Sequence, residues 1–170
     1  GLAISYNFGT NFVMRGELDG LPCSNVNSVA VNDDGVIFVG TCLGLAFSFD
    51  GGNSFNVKYL NDDPTYSIEE IKIVHNDIYV GTSDGLYISR DGGISFVSVD
   101  DAIGGIFDVF RLNRMLLVGG DQGLGISFDN GHKFDFLDLK DYGFPSRIDS
   151  IAVNEEDLYI GTEDGLGLSK

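Results

Sequence analysis

One short pattern recurs along the chain: SYNFGTNF from Ser5, SFDGGNSF from Ser48, SRDGGISF from Ser89 and SFDNGHKF from Ser127, with a fifth copy opening at Ser169. Successive serines lie 43, 41, 38 and 42 residues apart. A fixed period of this length constrains the architecture more than any single residue does. Each unit is too small to bury its own apolar face and must stack on its neighbours.

Each period holds four short segments. The first alternates apolar and polar residues: VNSVAV (26–31), IEEIKIV (68–74), IFDVFRL (106–112) and IDSIAV (148–153). The second is almost continuously apolar, as in VIFVGT, DIYVGT, MLLVGG and DLYIGT, which suits strands buried on both faces. The third reads GLAIS, GLAFS, GLYIS, GLGIS and GLGLS; the fourth reads NFVMR, SFNVKYL, SFVSV and KFDFLDL. Four strands joined by tight turns make an antiparallel meander. The expected fold is therefore all-β, a β-propeller built of four four-stranded blades of about 41 residues, one per period, alone or as part of a larger ring. Residues 1–15 supply third and fourth strands, residues 148–170 supply first, second and third, and 1–170 form a single domain or part of one. Long loops are expected at 15–25, 58–67, 98–105 and 138–147.

The recurring turn has a chemical reason. An Asp at the turn start accepts N–H bonds from the residues that follow, and a Gly two positions later adopts positive φ without strain. Asp50, Asp91 and Asp129 fill the first role, Gly52, Gly93 and Gly131 the second, and Phe55, Phe96 and Phe134 follow with a large ring to place between sheets. Asn7, Gly9 and Phe12 form a variant with an uncharged acceptor. This pattern resembles the Asp-box, or BNR, repeat of the sialidase-like propeller superfamily, with Phe where that family usually has Trp. The resemblance implies that these aspartates are structural and lie remote from any ligand face.

Net charge is −16, from 26 acidic and 10 basic side chains, so nucleic acid and anionic membranes make poor partners. No apolar run reaches the roughly 18 residues that span a bilayer, so membrane insertion is not expected. The sialidase arginine clamp with its Arg-Ile-Pro signature is missing, His75 and His132 have no triad or metal-site partners in sequence, and no cofactor, metal or catalytic residue is assigned. Strand alternation places the recurring turns at one end of the blades and the irregular loops at the other. Candidate ligand-face residues are Tyr59, Asp62, Asp63, Tyr66, Asp100, Asp101, Asp141, Tyr142 and Arg147, with Phe144 and Lys140 nearby. Carboxylates beside tyrosines suit a protein contact or a sugar-stacking surface.

Cys23 and Cys42 fall at the same end of adjacent strands, which leaves a disulfide and two free thiols both open. A bond would imply an oxidising compartment, and an extracellular or periplasmic location is the expectation. Residues 1–5 and 165–170 compete for one strand position, so either a longer array or a homodimer sharing one larger ring is expected. The functional reading is a non-enzymatic scaffold binding a protein partner or ligand through the loop face. The alternative is a carbohydrate-binding or glycoside-hydrolase-derived propeller.

Overall fold

The computed structural model describes residues 1–143, 145–154 and 157–169, apart from the side chains at 100–103 and 169. Its strands form five antiparallel sheets. A hairpin of β1 (Leu2–Ile4) and β2 (Val13–Arg15) comes first. Three meanders follow: β3 (Val26–Val31), β4 (Ile37–Thr41), β5 (Gly44–Ser48) and β6 (Asn56–Lys58); β7 (Ile68–Val74), β8 (Asp77–Thr82), β9 (Gly85–Ser89) and β10 (Val97–Ile103); β11 (Ile106–Leu112), β12 (Met115–Gly120), β13 (Gly123–Ser127) and β14 (Asp135–Leu137). A three-stranded sheet of β15 (Ser150–Asn154), β16 (Asp157–Thr162) and β17 (Gly165–Ser169) ends the stack. Each meander matches a propeller blade.

First strands carry the stacking: β3 lies on β7, β7 on β11 and β11 on β15. The second strands are apolar on both faces because each touches two neighbouring sheets. On β4, Phe38 packs forward onto Ile68, Ile71, Ile78, Val80 and Tyr87, while Val39 packs backward with Leu2, Ala46 and Phe55. The glycine that follows the second-strand Val, in Val-Gly-Thr or Val-Gly-Gly, has the same cause. A Cβ at Gly40 would sit 2.6 Å from Ile68 Cγ2, and one at Gly119 would sit 2.6 Å from Ile148 Cγ2. Only a missing side chain lets the next sheet come this close.

One expected loop is not a loop. Residues 98–103 extend β10 along β9, with Val97 opposite Ile88 and, past an irregularity, Ile103 opposite Gly85. Gly104 at φ 78° and Gly105 then turn the chain straight into β11, which removes the need for a longer connection. The other three connections each fold into a 3₁₀ turn, at Glu17–Asp19, Leu60–Asp62 and Leu139–Tyr142. Leu60 and Leu139 anchor two of these turns in the sheet interfaces, and Leu21 anchors the chain just after the first. Fourth strands are shorter than expected at β2, β6 and β14, because the preceding Phe belongs to the turn.

Candidate functional site

The recurring turns use up their polar groups internally. Buried Ser48 donates to Asp50 Oδ1 at 2.8 Å and accepts from the Gly52 N–H at 2.8 Å. The Asn53 and Ser54 N–H groups donate to Asp50 Oδ1 at 2.9 Å, and the Ser54 hydroxyl donates to Oδ2 at 2.7 Å. Asp91 and Asp129 repeat the scheme with Ser89 and Ser95, and with Ser127, His132 and Lys133. These bonds favour the charged carboxylate. The Ser54 side chain foremost holds Asp50 far below its ordinary pKa, the Ser95 side chain brings Asp91 to about 2, and the Lys133 N–H lowers Asp129. Such groups make poor proton donors. Gly52, Gly93 and Gly131 stand at φ 88°, 95° and 85°, and Phe55 and Phe134 are buried while Phe96 is half-buried.

The two ends of the blades separate as strand alternation requires. Recurring turns meet the first-to-second turns, where the Gly92 N–H donates to Asn76 O and the Asn130 N–H to Arg114 O. Opposite them, second-to-third turns meet the long connections: Cys42 N–H to Asn25 O, Ser83 N–H to Ser67 O and Asp121 N–H to Gly105 O. A Cys23–Cys42 disulfide with Cα atoms 6.0 Å apart fastens this second end.

A compact aromatic and acidic group forms on that end in front of β7–β10. Tyr66 and Tyr87 rings lie 6.2 Å apart at 42°, and Asn61 Nδ2 donates to the Tyr87 hydroxyl at 2.9 Å. The Asp84 carboxylate beside the Tyr66 hydroxyl raises its pKa. Burial first, then Tyr66 and Asp84, push the Tyr87 phenol to about 12. Asn61 and Asp62 both sit at positive φ, 51° and 57°, conformations that cost energy in a non-glycine residue and cluster where geometry serves a purpose. Asp63 is tied locally by the Thr65 hydroxyl, which lowers its pKa. Tyr59 is exposed against Gly44.

The remaining candidates do not all join this group. Arg147 lies 4.0 Å over the Phe107 ring and donates from Nε to Asp149 at 2.7 Å, a second cluster on the same end. Tyr142 and Asp141 lie on the third 3₁₀ turn, and Tyr142 lines an apolar groove between β14 and β17. Asp100 and Asp101 lie on β10, but their side chains, like the whole of Phe144, are outside the described residues. Lys140 is exposed.

Sequence reasoning missed a line of polar residues on the first strands. The Ile71 N–H donates to Ser28 Oγ at 3.0 Å, Ser28 donates to Glu70 Oε2 at 3.1 Å, and the Ile151 N–H donates to Asp108 Oδ2 at 2.6 Å. Each of the three residues follows a register shift in its strand. Burial foremost, with Asp108 adding, raises the Glu70 pKa. The signal was the polar third residue of every first segment: Ser28, Glu70, Asp108 and Ser150. At the turn end, burial alone would raise the Asp77 carboxyl, but the Arg111 and Arg90 guanidiniums outweigh it and hold it low. The same two guanidiniums lie over the Tyr79 ring, locking β8 to β11. A cavity of about 410 Å³ beside Arg90 and His132 lies at the turn end and contains none of the candidate ligand-face residues.

No protein-family model matches the sequence, and no curated protein sequence matches it. Solved structures do resemble the fold. An ancestral GH74 enzyme superposes with a TM-score of 0.80 at 22% identity, over 94% of this chain and 24% of that one. The extracellular domain of the one-component system BT4673 from B. thetaiotaomicron gives 0.75 at 19%, over 89% and 22%. YCF48 bound to D1 peptide gives 0.65 at 13%, over 86% and 52%. The chain thus spans about a quarter of the first two and half of the third. The stacked blades and these likenesses together support a β-propeller fold.

Proposed function

We propose that this chain is a non-enzymatic interaction module, an Asp-box propeller of the sialidase-like kind that binds a protein partner through its loop face. The observation that carries this reading is the Asn61–Tyr66–Asp84–Tyr87 group at the loop end, where exposed Asn61 and Asp84 and half-buried Tyr66 lie over the buried Tyr87 ring among acidic loops. Tyrosines give large contact area at low entropic cost, and the surrounding carboxylates favour a partner with basic side chains. A peptide-bound neighbour of the same fold, YCF48 with D1 peptide, is compatible with such a role. The Cys23–Cys42 disulfide and an extracellular neighbour support an extracellular or periplasmic setting.

A carbohydrate ligand is the second reading, favoured by the exposed Tyr59 ring and by the GH74 neighbour. The acids of the first strands speak against a glycosidase pair, since Asp108 is occupied by the Ile151 N–H of the next sheet and Glu70 by the Ser28 hydroxyl of the preceding one. A glycan array run beside affinity capture of proteins separates the two. Protein capture lost in Tyr66→Ala and Asp84→Asn supports the module; glycan binding lost in the same variants would replace it with the lectin reading.

A further inference from the structure

The blades repeat closely enough for one to show what another has changed. Tyr87 pairs with Val80 at the position where Ala46 pairs with Val39, Gly125 with Val118 and Gly167 with Ile160. A large ring replaces Ala or Gly in β7–β10 alone among these sheets. Its hydroxyl accepts from Asn61 Nδ2 at 2.9 Å, and the Tyr66 ring lies tilted against it with centroids 6.2 Å apart. Departures from a regular pattern gather where function or strain has been added.

Asp84 is braced beside these rings. The Ser83 N–H donates to Ser67 O at 2.9 Å, the Ser67 N–H to Ser83 Oγ at 3.3 Å and the Asp84 N–H to Thr82 Oγ1 at 3.1 Å. The β8–β9 turn is thereby tied to the residue after Tyr66. Asp84 is exposed, and its carboxylate lies near enough to the Tyr66 phenol to raise that group's pKa. No ion pair among the described residues involves Asp84. Lys58, at the end of β6, is turned away to Ile94 O at 2.8 Å.

The same end of the chain shows what fills such an arrangement. Arg147 lies 4.0 Å over the Phe107 ring while its Nε donates to Asp149 at 2.7 Å. A guanidinium is flat, delocalised and weakly hydrated, so it stacks on a ring and bonds a carboxylate at once. An ammonium is compact and strongly hydrated, and it does neither as well. Tyr66 and Asp84 present the ring and the carboxylate without the arginine. Resting on the protein-binding reading above, we infer that the partner supplies that arginine, its guanidinium over the Tyr66 ring and hydrogen-bonded to Asp84. Tyr87 and Asn61 hold the Tyr66 ring ready for it.

Titration of the isotope-labelled chain with capped Gly-Arg-Gly, Gly-Lys-Gly and Gly-citrulline-Gly peptides, followed by NMR, tests this. The arginine peptide should shift the amides of residues 61–67 and 83–87 and bind at least about threefold more tightly than the lysine peptide. The citrulline peptide, alike in shape but uncharged, should not shift them. Asp84→Asn should weaken the arginine peptide about tenfold, the scale of a hydrogen bond to a charged group. Tyr66→Leu should weaken it about two- to fivefold, the scale of an exposed cation–π contact. Asp33→Asn, the same charge change at an exposed position of the turn end, should leave binding unaltered. Equal binding of the arginine and lysine peptides, shifts elsewhere or none, or indifference to Asp84→Asn overturns the inference. Capture of a protein that still depends on Tyr66 and Asp84 would in that case keep the protein-binding reading and remove the arginine alone, whereas no such capture would remove both.

Discussion

Ser28 accepts the backbone N–H of Ile71 at 3.0 Å across the seam between β3 and β7, and Asp108 does the same for Ile151 at 2.6 Å between β11 and β15. A register shift in β3 and in β11 immediately precedes each acceptor, whose side chain meets an N–H of the following sheet. Ser28→Ala should cost about 1–3 kcal/mol, the range for a buried donor left without a partner. Urea denaturation of the variant measures it, and an unchanged midpoint would show the bond to be dispensable.

Acid should loosen the recurring turns. The folded-state pKa values of Asp50, Asp91 and Asp129 are depressed, so their contribution is fully present above the ordinary carboxylate pKa. It is lost as pH falls from about 4 through 2 and below, while the unfolded carboxylates hold their protons. Thermal melts between pH 5 and 2 should show a steeper decline for the parent than for a triple Asp→Asn variant.

Glu70 should act in the opposite sense. Its raised folded-state pKa means stability falls as pH rises through the interval above the ordinary glutamate value. Glu70→Gln keeps an acceptor for Ser28 and removes the charge. The melting temperature at pH 7 should rise, and the gain should vanish at pH 4.

Gly40→Ala and Gly119→Ala should each cost about 1–3 kcal/mol by overpacking against Ile68 and Ile148. Phe134→Ala should cost about 3–5 kcal/mol as a core truncation. Denaturant titration of each variant reads these directly.

Cys23→Ser opens a loop with a sequence separation of 19 and should cost about 3 kcal/mol under oxidising conditions. The parent measured with reductant should fall to the level of the variant.

The strands and their turns were legible because their causes are local. Ser48, Asp50, Gly52 and Phe55 sit at fixed offsets that satisfy one turn, and alternation along VNSVAV or IEEIKIV marks a first strand without reference to any neighbour. What escaped depends on the neighbouring sheet. Ser28 and Asp108 read as ordinary outward residues, because a period of two cannot distinguish a side chain in water from one bonded across a seam. Tyr87 reads as core within GLYIS, and only the folded chain brings its hydroxyl to Asn61. Residues 98–103 read as a loop from their two aspartates and flanking glycines, yet pairing with β9 draws them into a strand.

The proposed binding surface is the loop end and not the recurring turns. Hydrogen exchange on the chain with and without a protein captured by it locates the contact. New protection should be confined to residues 59–67 and 83–87. Protection at 50–55, 91–96 and 129–134 instead would contradict it.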